Sequence, residues 1–141
     1  MSPLHLFRDL PEVRLFSPGQ YIFRKGDDGS HMYMVIEGEV DVLVGRAVVE
    51  TARPGAFLGE MALILPSRRT ASARARTDCR VFPIDAARFQ ELVSETPSFA
   101  LDVMKALALR LRRTTEHVAL AHPATRVRKR IRRRRAGFKN D

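Results

Sequence analysis

Met32-Tyr-Met-Val-Ile36, then Glu37-Gly38-Glu39, then Val40-Asp-Val-Leu-Val44, then Gly45-Arg46, then Val48-Val-Glu-Thr51 follow one another along the chain. Three short apolar runs, rich in Val, Ile, Met and Tyr, are parted by glycine and charge. The same writing extends on both sides. Val13–Phe16 stops at Ser17-Pro-Gly19 and Tyr21–Phe23 at Lys25-Gly-Asp-Asp-Gly29, while Val48–Thr51 runs up to Arg53-Pro-Gly55. Runs of four to six residues at near-regular intervals predict an antiparallel sandwich or barrel over about residues 13–85. Gly19, Gly26, Gly38 and Gly55 supply the positive φ that tight turns need.

After Ile84 the period lengthens. Asp85 is placed to cap a helix over Ala86–Glu95, with Phe89, Leu92 and Val93 on one face. Thr96-Pro97 ends it and Ser98 caps the next helix, which is expected to run to about Leu120 before His122-Pro123. Its stripe of Ala100, Met104, Leu107, Leu111, Thr114 and Val118 alternates spacings of three and four, the seam of a helix pair. Arginines flank that seam, so a weak homodimer through this helix is the expectation.

The net charge of +9 is concentrated at one end. Nine of the 25 basic residues fall between Arg126 and Lys139, which leaves residues 1–125 with 16 basic against 15 acidic residues. Residues 121–141 read as a disordered basic tail, able to bind nucleic acid or an acidic surface by charge alone. With 45% hydrophobic residues the rest is globular. No apolar run is long enough to span a bilayer, and the start lacks the pattern of a secretory signal. One cysteine, Cys79, fits packing in a strand and a cytoplasmic setting. His5, His31, His117 and His122 have no metal-ligand spacing and read as surface residues, which argues against a metal-dependent oxygenase. No nucleophile–base pair stands out, so an enzyme is not expected.

The stretch Phe57-Leu-Gly-Glu-Met-Ala-Leu-Ile-Leu-Pro-Ser-Arg-Arg-Thr-Ala-Ser72 interrupts the strand pattern. Glu60–Leu65 reads as a single helical turn, whose opening amides form an anion site. Arg69 and Thr70 follow; the arginine suits a phosphate, and the Glu60 carboxylate suits a ribose hydroxyl. Together they suggest a nucleotide. Met61, Leu63 and Ile64 read as core.

Gly59-Glu60-Met61-Ala62-Leu63 and Arg69-Thr70-Ala71-Ser72, at this spacing, resemble the phosphate-binding cassette of the cyclic-nucleotide-binding domains of the catabolite-activator and cyclic-nucleotide-gated channel type. The resemblance runs from about Val13 to Arg113. It implies a double-stranded β-helix, or jelly roll, with C-terminal helices, making residues 1–120 one domain. It implies cAMP or cGMP as ligand, preferably cAMP, with no cofactor. Gly59 and Glu60 would meet the ribose 2′-hydroxyl, and the Met61 and Ala62 amides would face the cyclic phosphate. Arg69 would pair with that phosphate, and Thr70 and the Ala71 amide would complete its cage. Leu58 stands where the family usually has Phe, and Ala52 where a larger apolar residue often packs on the base. A stand-alone sensor is expected, in which the ligand repositions the C-terminal helix, because a helix-turn-helix needs about 60 further residues and few follow Leu120. The alternatives are a ligand-free cassette in which Glu60 merely braces Arg69, acting as an interaction module, and a regulator that holds nucleic acid nonspecifically through its tail.

Overall fold

The structure, a computed structural model, describes Phe7, residues 10–65 and residues 67–121, with residues 114–121 as backbone only. The expectations placed on His5, His117 and His122, on the side chains of Thr114 and Val118, and on the tail from residue 122 lie outside the described residues.

Among the described residues, eight strands and three longer helical segments follow in chain order. They are β1 (Arg14–Phe16), β2 (Tyr21–Phe23), β3 (Met32–Glu37), β4 (Val40–Val44), β5 (Ala47–Ala52) and β6 (Phe57–Leu58), then α1 (Glu60–Ile64), β7 (Ser72–Ala75), β8 (Cys79–Ile84), α2 (Ala86–Glu95) and α3 (Ser98–Ala121). The strands pair antiparallel into two four-stranded sheets, ordered β1-β8-β3-β6 and β2-β7-β4-β5. Neighbours in each sheet are mostly far apart in sequence. This is the strand order of a jelly roll, with two sheets face to face. The four glycines read as turn residues have φ between +87° and +93°.

Alternation explains which side chains meet. Tyr33 and Val35 of β3, Leu58 of β6, and Cys79 and Val81 of β8 face Val40, Ala52, Ala73 and Ala75 of the other sheet, and together these form the core cluster. Cys79 is buried there, its Sγ 3.1 Å from the Glu39 carbonyl oxygen. The run Met32–Ile36 is buried at every position, so β3 is covered on both faces. Its outer face shares an aromatic layer. Phe7 stacks on Phe82 at 4.7 Å between centroids, and Phe99 lies edge-on to Phe57 at 5.8 Å and near Phe89 at 5.7 Å. Burying a phenylalanine contributes about 1.5–3 kcal/mol, so these rings fasten the start of α3 to the sheet.

The helix signals act as read, with one shift. The Arg88 amide donates to Asp85 Oδ1 at 2.8 Å, which caps α2. Ser98 is the first residue of α3 and not its cap; the Phe99 amide bonds to the Thr96 carbonyl oxygen. The described residues divide into two compact units between Leu101 and Asp102, inside α3. Among the described residues, no helix is long and apolar enough to cross a membrane, and no cluster of His, Cys, Asp and Glu could hold a metal ion.

Candidate functional site

β6 delivers the chain to Gly59, which turns it into α1. Gly59 has φ +70° and ψ +19°, the left-handed region that glycine enters at little cost. Space makes the same demand. A Cβ at position 59 would overlap Arg69 Nη1 and come within 3.2 Å of the Phe23 ring.

Arg69 is the centre of the arrangement, only 6% exposed. Its Nη1 donates to the Gly59 carbonyl oxygen at 3.1 Å and its Nη2 to the His31 carbonyl oxygen at 2.6 Å. The guanidinium carbon lies 4.1 Å from the Phe23 ring centre and 5.9 Å from that of Tyr33, so the cation rests on an aromatic floor. The backbone is fastened too: the Arg69 amide donates to Asp27 and its carbonyl accepts from Gly26, both at 2.8 Å. Gly29 passes so close that a Cβ there would sit 3.2 Å from Arg69 Nε and Cζ and would overlap the Ala62 Cβ. Among the described residues, Arg69 Nε is buried without a hydrogen-bond partner. Burial lowers the Arg69 pKa from its ordinary value, while Tyr33, Asp27 and Glu60 act the other way. A guanidinium keeps its charge through such a shift.

Glu60 opens α1 and is 1% exposed. A carboxylate so deep is costly unless it is compensated, and the Arg69 cation is one of the charges it acts on. Ala62 is buried against Gly29, whereas Thr70 is exposed and Ala71 half-buried. Glu60, Ala62 and Arg69 are thus brought together around Gly59. The Met61 side chain is 55% exposed and Ile64 52%, which corrects the reading of both as core. A five-residue helix buries one narrow face, here Glu60 and Ala62, and Met61 and Ile64 fall off it.

Arg68 plays a different part from its neighbour. Its side chain is exposed, donating to the Gly26 carbonyl oxygen at 3.0 Å and lying 3.8 Å from Asp28. The sequence reading missed four residues that hold Arg69: Phe23, Gly29, His31 and Tyr33. His31 is half-buried, its ring 6.2 Å from that of Tyr33, so it is no plain surface residue. His31 also lines an open cleft of about 620 Å³, with Glu12, Arg14, Asp85, Arg88 and Glu91 among others. Arg88 there already pairs with Glu12 at 3.6 Å and Glu91 at 3.0 Å, and the cleft lacks the convergence seen at Arg69.

The chain belongs to the cyclic nucleotide-binding domain family, whose model matches residues 13–96. It is 39% identical over 86 residues to the mouse (Mus musculus) potassium/sodium hyperpolarization-activated cyclic nucleotide-gated channel 2, a match that covers 61% of this chain and 10% of the channel. It is also 39% identical over 82 residues to a cAMP-dependent protein kinase regulatory subunit of Eremothecium gossypii, covering 58% of this chain and 18% of that one. The crystal structure of the Thermus thermophilus catabolite activator protein superposes with a TM-score of 0.69 at 30% identity, over 85% of this chain and 63% of the other. The chain therefore spans a small part of these curated relatives.

Proposed function

We propose that this chain is a binding module that senses a cyclic nucleotide and catalyses nothing. Arg69 pairs with the cyclic phosphate. Gly59 and Glu60 meet the ribose 2′-hydroxyl, the Met61 and Ala62 amides line the phosphate, and Thr70 with the Ala71 amide closes the cage. One observation carries the reading: a buried guanidinium held on an aromatic floor between Gly29 and Gly59, with Nε unpartnered among the described residues. An arginine fork in a low-dielectric site suits a single phosphodiester charge. The kinase relative is named for dependence on cAMP, and on that ground alone cAMP is placed ahead of cGMP.

The ligand acts on α3. The unit boundary inside that helix and the Phe57–Phe99 contact support this output. Two further partners belong to the proposal: a second copy of the chain, joined weakly through α3, and nucleic acid or an acidic surface, met by residues 126–139. The competing reading, a cassette braced without ligand, draws on the two carbonyl bonds that Arg69 already makes. Calorimetric titration with cAMP, cGMP and the open 5′-monophosphates decides between them. Saturable binding of a cyclic form is expected, and heat of dilution alone with every nucleotide would refute the sensor.

A further inference from the structure

Between Asp41 and Glu50 the only charged residue is Arg46. The stretch forms the hairpin of β4 and β5, closed where Val44 pairs with Ala47 around Gly45-Arg46. Gly45 has φ +63°, which suits the first central position of a tight two-residue turn. Below the turn the ladder slips. Leu43 pairs with Val48 and Val42 with Glu50, so Val49 has no place in the register. Such a bulge breaks the alternation of faces, and two successive valines both reach solvent. Val44, Val48 and Val49 are each half or more exposed. An exposed apolar cluster with a polar rim marks a contact surface.

The rim here is basic. Leu43, at the foot of the tip, pairs with Ser72 of β7, and the Ser72 hydroxyl accepts from the Lys25 amide at 2.9 Å. Arg24 and Lys25 thus follow β2 at the hairpin's end of the sheet, and both are exposed. The Arg24 guanidinium carbon lies 3.9 Å from the Tyr21 ring centre, and that of Arg74 lies 5.9 Å from the same ring. The acids nearby are engaged. Asp27 accepts from the Arg24 amide at 2.9 Å, Asp28 lies 3.8 Å from Arg68, and Asp41 accepts from the Thr51 hydroxyl at 2.9 Å.

We propose that this hairpin tip is a contact for an anionic lipid surface. Val44, Val48 and Val49 enter the boundary between headgroups and acyl chains, and Arg46, Arg24 and Lys25 meet the lipid phosphates. A nucleic acid would use the arginines but would bury nothing on the valines. A second copy meeting the tip about a two-fold axis would bring like arginines together. A bilayer with acidic headgroups takes both features, because buried apolar area and charge attraction add. Arg46 keeps its guanidinium among the headgroups while its stem follows the valines inward.

The chain contains no tryptophan, so Val48→Trp installs a single fluorescent probe at the tip. Val44→Trp provides a second should the first disturb the hairpin. Leu15→Trp, at an exposed position on β1 of the other sheet, is the control. Each variant of the full chain is mixed with phosphatidylcholine vesicles, with and without phosphatidylserine. With phosphatidylserine the tip probes should shift to the blue and be quenched by brominated acyl chains, while Leu15→Trp should emit as in buffer. Arg46→Gln in the Val48→Trp background should weaken vesicle partition roughly fivefold, the scale of one basic residue at an acidic membrane. Residues 126–139 can carry the chain to acidic vesicles by charge alone, so sedimentation with vesicles while both tip probes stay unmoved overturns the proposal. A tip shift that needs only a higher protein concentration indicates a second copy, and one that needs an oligonucleotide indicates nucleic acid; either overturns it as well.

Discussion

Arg69→Ala and Arg68→Ala remove the same side chain from adjacent positions, yet their surroundings predict opposite results. Arg69 is buried, bonded to the Gly59 and His31 carbonyl oxygens and stacked over Phe23. Arg68 has a side chain 75% exposed, and its ion-pair partner Asp28 is 93% exposed at 3.8 Å. A desolvated charge-assisted contact to phosphate costs about 2–4 kcal/mol when one partner is truncated. At about 1.4 kcal/mol per decade, Arg69→Ala should weaken cyclic-nucleotide binding roughly 30- to 1000-fold. An exposed pair such as Arg68–Asp28 contributes about 0–1 kcal/mol, so Arg68→Ala should bind almost as the wild type does. Arg69→Ala also strands two part-buried carbonyl oxygens, which should lower stability by at most about 1–3 kcal/mol and leave the fold formed. Arg69→Lys keeps the charge but loses the fork and the flat face on Phe23, and should fall between. Calorimetry gives the affinities, and urea unfolding followed by circular dichroism gives the stabilities. Equal losses at positions 68 and 69 would show the cassette read in the wrong register. Unchanged affinity in a folded Arg69→Ala would refute the phosphate role.

Gly59→Ala should destabilise by about 1–2 kcal/mol from left-handed strain alone, and should weaken binding because the new Cβ displaces Arg69; wild-type values in urea unfolding and calorimetry would contradict both. Glu60→Gln should weaken cAMP while costing a 2′-deoxy analogue little more, a coupling of about 0.5–3 kcal/mol in the double cycle, whereas zero coupling sides with Glu60 as a brace. Raising the salt should strengthen the proposed weak homodimer by screening its arginine flanks; sedimentation that finds a monomer at every concentration and ionic strength would sink it.

What could be read from the chain was what is local. The strand runs are bounded by turn glycines, α2 by its Asp85 cap, and α3 by its helical period, and each of these signals lies within a few residues of the element it marks. The continuous run Met32–Ile36 even carried its packing, since β3 is covered on both faces. Pairing order is another matter. β1 meets β8 and β2 meets β7, choices set by closure of the whole fold and silent in either strand alone. The site divides along the same line. Gly59, Glu60 and Arg69 sit in one short motif, but their support comes from Phe23, Gly29 and His31, 38 to 46 residues before Arg69. His31 contributes its carbonyl oxygen, an atom every residue possesses, so no side-chain pattern could have marked it. Gly29 is small because Ala62 and Arg69 crowd it, a contact visible only once the segment before β3 is packed on α1. Met61 and Ile64 were misplaced because five residues are too few to define a helical face by spacing.

Register also explains how a site at Gly59 is tied to the helix at Ser98. β6 is two residues long, and those residues face opposite ways. Phe57 turns to the aromatic layer and meets Phe99 edge-on in the first turn of α3. Leu58 turns to the core beside Tyr33, whose ring lies 6.0 Å from Phe23, the ring beneath Arg69. Gly59 then gives its carbonyl oxygen to Arg69 itself. Three consecutive residues thus touch the helix start, the core and the arginine, and a shift at one is carried to the others through a close-packed interior. A ligand biases two states only by its differential affinity for them, and couplings between sites commonly amount to about 1–3 kcal/mol. An aromatic pair contributes about 0.5–1.5 kcal/mol beyond its buried area. A Phe57–Phe99 contact that loosened in one state and closed in the other would therefore have the right magnitude to pass the occupancy of the proposed cassette to the start of α3.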